Sequence, residues 1–151
     1  INLFIHGFLN QKCAIWNIRR NKIKLNIPIS LGELVDKITI LEIKNEKITN
    51  EEKLKEVKLE EEYLKKIYDS VDKDRKILND FKSELKKINS ELWEIEDSIR
   101  ILEIKKDFGD NFIQLARRVY FTNDERFEVK NKINIHFGSE ISEQKQYEKY
   151  K

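Results

Sequence analysis

Methionine is absent from these 151 residues, cysteine and proline occur once each, and there are two histidines and four glycines. Each shortage removes a class of protein. A lone Cys13 cannot form an intramolecular disulfide, so a reducing, cytoplasmic setting is the simpler expectation. One Cys and two His are too few for a zinc site built from the usual nitrogen and sulfur ligands. No apolar run approaches the roughly 18 residues that a membrane span needs. Arg19 and Arg20 follow the apolar part of the N-terminal stretch, the reverse of a secretion signal. There is no glycine-rich phosphate loop and no nucleophile elbow. Ile at position 1 fits a fragment, or a reading frame translated from upstream of its natural start.

What the chain has is charge. Charged residues make up 38% and hydrophobic residues 39%, the balance of long helices whose circumference largely faces water. The 30 basic and 28 acidic side chains nearly cancel, and a net charge of +2 argues against a dedicated nucleic-acid binder.

The strongest pattern lies in residues 71–106. From Leu78 the apolar residues Phe81, Leu85, Ile88, Leu92, Ile95, Ile99 and Leu102 alternate in steps of three and four without a miss. That is a heptad seam, uninterrupted by Gly or Pro, and it predicts a helix of about 54 Å that must have a partner.

Residues 1–22 mix apolar patches with polar breaks and read as a poorly integrated extension. Ile23, Leu25, Ile27 and Ile29 alternate with polar positions, and Pro28 limits that stretch to an edge or an extended arm. Ser30 and Glu33 form a capping box that starts a helix to about Ile48. Thr49 and Glu52 form a second box, predicting a kink or restart before a helix to about Tyr68. Residues 69–72 then reverse the chain between arms of near-equal length. Folding the arms together places Thr49 opposite about residue 90 and Val35 opposite about residue 104. On this register a coiled-coil arm spans about 50–89. A base of residues 31–48, 90–107 and 110–137 carries extra apolar faces at Ile40, Ile43, Trp93, Ile101 and Ile104. Two shorter helices cover that base: one near Phe112 to Tyr120, the other after a Thr122–Glu125 box, ending at Gly138. The alternation of Ile133, Ile135 and Phe137 leaves a short strand open there. Residues 139–151 read as a polar tail. The expected fold is all-α, with residues 23–138 one helical domain.

Two groupings could carry chemistry. Glu33 with Asp36, and Glu94 with Asp97, each place two carboxylates on one helix face. Together they are the only candidates for Mg²⁺, against the plainer reading that they are caps and surface acids; no other cofactor is indicated. The second grouping is polar and basal: Asp36, Glu96, Asp97, Arg100, Arg117, Tyr120, Asn123, Asp124, Arg126 and Lys130. Its arginines could take a phosphorylated or nucleotide-like ligand bidentately, or could be structural ion pairs such as Arg100 with Glu96. A weaker option binds nucleic acid through Arg117, Arg118, Arg126 and Lys130.

Three stretches are long and specific. They are Pro28 to Lys44 (PISLGELVDKITILEIK), Leu92 to Arg100 (LWEIEDSIR), and Phe112 to Arg126 (FIQLARRVYFTNDER) with Lys130, Ile133, Asn134, Gly138 and Ser139 beyond it. On them the chain resembles an uncharacterised family of small bacterial and phage proteins, a domain of unknown function, over about residues 25–150. The resemblance implies no activity. It directs attention to the basal end, because its motifs avoid the middle of the seam. The overall expectation is an interaction or scaffold protein that binds a protein partner or a second copy. The alternative is a small enzyme or ligand-binding protein using the basal polar group.

Overall fold

The computed structural model describes residues 25–146 and 148; the expected extension at 1–22 lies outside the described residues, as does Tyr147. The fold is all-α. Its helices are α1 (Leu31–Lys47), α2 (Glu51–Asp69), α3 (Arg75–Lys105) and α4 (Asp110–Phe137). Among the described residues there is no strand and no helix long and apolar enough to cross a membrane.

The heptad segment is helical throughout α3, and its partner is α4. Glu91 meets Arg118 at 2.7 Å and Asp74 meets His136 at 3.1 Å, so the two helices run antiparallel about the loop 106–109. The Thr122–Glu125 box starts nothing: Thr122 is buried inside one continuous 28-residue helix where two short helices were expected. Gly138 ends that helix at φ 69°, the left-handed C-cap that glycine adopts without cost.

The first arm also folds differently. Asn50, not Thr49, accepts from the Lys53 amide and starts α2, and the three residues 48–50 reverse the chain. Lys37 and Glu60 form a 2.7 Å ion pair, whereas a straight helix would hold them about 34 Å apart. α2 therefore packs back on α1, and its end is pinned where the Tyr68 hydroxyl donates to Asn79. Tyr68 is the one residue of α2 that is fully buried.

α1 is the central helix, in contact with α2, α3 and α4. It runs antiparallel to α4, with Glu33 at Lys130 and Asp36 at Arg126, and hence in the direction of α3. Asp36 and Thr39 lie at Asn89, which replaces the expected register of Val35 with residue 104. The core gathers Leu34, Val35 and Ile38 of α1, Leu78 and Leu85 of α3, and Val129 and Ile133 of α4.

That moves the core down the long helix. α1 ends beside residue 94, where Lys47 bonds Glu94. Beyond it, from residue 96 through the loop to residue 121, no residue is buried. The helices continue there as a two-helix arm of about 16 Å. Ile101 and Ile104, expected under a wider core, are 51% and 80% exposed. The projecting arm is thus at 96–121, and the stretch expected to be the arm holds much of the core.

The N-terminus of α1 is sealed by the end of α4. Ser30 accepts from the Glu33 amide as the capping box requires, but Glu33 reaches Lys130 instead of turning back. Asn134 accepts from the Gly32 amide at 2.8 Å and Ser139 from the Leu31 amide at 3.3 Å, so amides that a helix start leaves open are satisfied across the fold. The approach is close enough that a Cβ on Gly32 would stand 2.5 Å from the Lys130 carbonyl oxygen. Gly32→Ala should therefore cost roughly 1–3 kcal/mol in urea unfolding, while Gly109→Ala, with only the Asp107 carboxylate 3.3 Å away, should change stability little. Equal effects would contradict this seating of α1 on α4.

Candidate functional site

The site begins with a buried charge. Asp36 is 2% exposed, on the face of α1 turned toward α3 and α4. Burying a carboxylate is costly unless its oxygens are satisfied, and here both are. Arg126 of α4 donates through Nε to Oδ1 at 2.8 Å and through Nη2 to Oδ2 at 2.5 Å. Asn89 of α3 donates to Oδ1 at 2.8 Å and to the Thr39 hydroxyl at 2.9 Å. Thr39 in turn donates to the Asp36 carbonyl. One carboxylate thereby ties three helices. The bonds to Asp36 hold the Arg126 guanidinium above its ordinary pKa against the opposing effect of burial, so it stays charged at any physiological pH.

Two grooves open on either side of Arg126 and share it and Asn123. The larger, about 790 Å³, runs along α4 and the C-terminal segment, with Tyr120, Asp124, Lys130, Glu33 and Glu143 on its walls. Lys130, its side chain 9% exposed, is bonded by both Glu33 and Glu143. Burial opposes the ammonium charge, but those two bonds outweigh it and its pKa is raised. The smaller groove, about 440 Å³, lies beside the C-terminal half of α1 and against the root of the arm. Ile40, Ile43 and Leu92 form its apolar part, and Trp93 stands half-exposed among Glu96, Asp97 and Arg100.

Of the ten polar residues proposed from sequence, Glu96, Asp97, Arg100, Asn123 and Arg126 line the smaller groove, with Asp36 directly behind Arg126. Tyr120, Asp124 and Lys130 line the larger one. Arg117 joins neither and rests 5.9 Å from the Phe121 ring. Arg118 turns to Glu91 on another face, so the four-residue cationic set suggested for nucleic acid does not gather. The carboxylate quartet is divided too: Glu33 is on Lys130, Asp36 on Arg126 and Glu94 on Lys47. Among the described residues no group of three or more His, Cys, Asp or Glu is placed to hold a metal ion.

With this geometry in view, the match to a family model is informative. Residues 23–150 match the family of unknown function DUF6165. The chain belongs to this family. No curated protein and no solved structure matches it. The span recognised in this DUF6165 chain takes in both grooves and the seal between α1 and α4.

Sequence reasoning passed over Asn89, Thr39 and Glu143. Asn89 follows Ile88 next to the seam, and an amide so placed on a helix with a second neighbour was a visible signal for a buried hydrogen bond. Glu143 gave none, being one of many acids in a polar tail. It anchors that tail, which is not helical over 139–146. Burial would raise the Glu143 pKa, but the Lys130 ammonium pulls it below its ordinary value of 4.5. A depressed pKa means that its contribution is present above 4.5 and is lost as pH falls through the lowered value. The backbone ¹⁵N heteronuclear NOE of residues 139–146 should therefore be high at pH 6 and low at pH 3, and Glu143→Gln should remove most of that difference. A tail equally ordered at both pH values would show that this ion pair does not anchor it.

Proposed function

We propose that this chain is a non-catalytic interaction protein that engages another protein through the α3–α4 arm. The observation that carries the reading is the exposure of Ile101, Ile104, Phe108 and Ile113, between 49% and 80%, on a segment without a single buried residue. Large apolar side chains gathered at one end of a molecule mark association surfaces. Ile104 contributes nothing to the core, so its burial is left to a partner. Between residues 96 and 121 five acidic side chains face five basic ones, which suits a protein surface better than a phosphate backbone. The single Cys13 supports placing the protein in the reducing cytoplasm.

A second reading is supported by the convergence of five polar residues on the smaller groove: the groove holds a small ligand, as its volume and half-apolar lining allow. A strongly anionic nucleotide fits poorly, because Arg126 is already neutralised by Asp36 and Arg100 by Glu96. No magnesium enters either reading, since Glu33, Asp36 and Glu94 each have a cationic partner.

Ile104→Asp combined with Ile113→Asp tests the arm. Exposed substitutions of this kind move stability by about 0.5 kcal/mol or less each, so the thermal midpoint should hold. Cross-linking and sedimentation should show a partner, or a second copy, on the wild-type chain that the variant loses. If both chains associate alike, the arm is not the interface.

A further inference from the structure

We propose that the smaller groove binds an alkylammonium group, with the Trp93 indole against its apolar surface and the Asp97 carboxylate on its charge. The proposal rests on reading that groove as a ligand site. The charges around it are mostly closed. Glu96 is held by Arg100 at 2.6 Å, and Arg126 by the buried Asp36. Asn89 has given both amide hydrogens to Asp36 and Thr39. Asn123 donates to the Val119 carbonyl and meets Arg126 at 3.5 Å.

Asp97 differs from these. It is exposed, and among the described residues it makes no hydrogen bond or ion pair. It acts only at longer range on Lys47, whose ammonium is bonded to Glu94. It follows Trp93 by four residues, which places the carboxylate one helical turn along the same face as the indole. An indole and a carboxylate without a partner among the described residues, lining one groove with Ile40, Ile43 and Leu92, are the chemistry that recognises a cation with a hydrocarbon body. An anion would meet Asp97 directly and the Asp36 carboxylate just behind Arg126. A neutral molecule would leave Asp97 unanswered.

The ammonium could belong to a free amine or to a lysine side chain of a peptide, and the test separates them. In a Trp16→Phe background the fluorescence of Trp93 reports on the groove of the full chain. It would be titrated with choline, with Nα-acetyl-lysinamide, with the neutral choline isostere 3,3-dimethylbutanol, and with inorganic phosphate. The expected result is a saturable change with choline or the lysine amide and none with the other two. Asp97→Asn should weaken that response about tenfold at an unchanged thermal midpoint. A Trp93→Ala chain, followed by calorimetry, should lose it. Equal binding of the neutral isostere, or binding of phosphate, would overturn the ammonium assignment and leave the groove as a ligand site. No response to any of the four would overturn both.

Discussion

The Asp36 carboxylate is the constraint on which the other arrangements depend. It sits on the central helix with almost no access to water, and an unpaired charge there would cost several kcal/mol. Two helices supply the remedy: α4 through the two-pronged Arg126, and α3 through Asn89. Because a guanidinium and a carboxylate match in one plane, the pair fixes the rotation of α4 against α1 as well as its distance. Asn89 adds the height of α3. Leucine and isoleucine contacts alone would tolerate small slides along these helices.

From that register the rest of the layout follows. Asp36 at Arg126 sets Gly32 against the Lys130 carbonyl and Asn134 against the Gly32 amide. It also sets where α1 stops. With Asp36 held by Asn89, the 17 residues of α1 run out where Lys47 meets Glu94, well before α3 ends at Lys105 and α4 begins at Asp110. The smaller groove lies just before that point, between Ile40 and Ile43 of α1 and the root of the arm. The arm is whatever the long helices have left. A single buried pair thereby locates a groove and an exposed apolar tip without touching either directly, except through Arg126.

The sequence was legible where a rule is local. The heptads marked α3, Ser30 marked the start of α1, and Gly138 marked the end of α4, each through one turn of backbone. Most of the polar residues that line the grooves could be named, because Arg and Asp among apolar residues on short spacings are visible in the chain. What could not be read was pairing. Two segments of near-equal length about residues 69–72 suggested a symmetric hairpin, yet the three residues 48–50 already turn the chain back, where the Thr49–Glu52 box had marked a kink or restart and not a full reversal. A heptad seam says that a partner exists and not which helix it is. Ile101 and Ile104 were read as part of a covered base, and they stand exposed instead. Asn89 and Glu143 escaped notice because their roles depend on residues 53 and 13 positions away.

A double-mutant cycle on Asp36 and Arg126 tests this account most directly. The unfolding free energies to compare are those of the wild type, Asp36→Leu, Arg126→Met and the double variant, from urea denaturation. If the pair governs the register, Arg126→Met strands the buried Asp36 charge and costs about 3–5 kcal/mol, and Asp36→Leu, which leaves the partly exposed Arg126 without its partner, costs somewhat less. The double change should then recover much of that loss, giving a coupling of about 2 kcal/mol or more. Additive effects, with the double variant as unstable as the sum of the two singles, would contradict the claim that this ion pair holds the three helices in place.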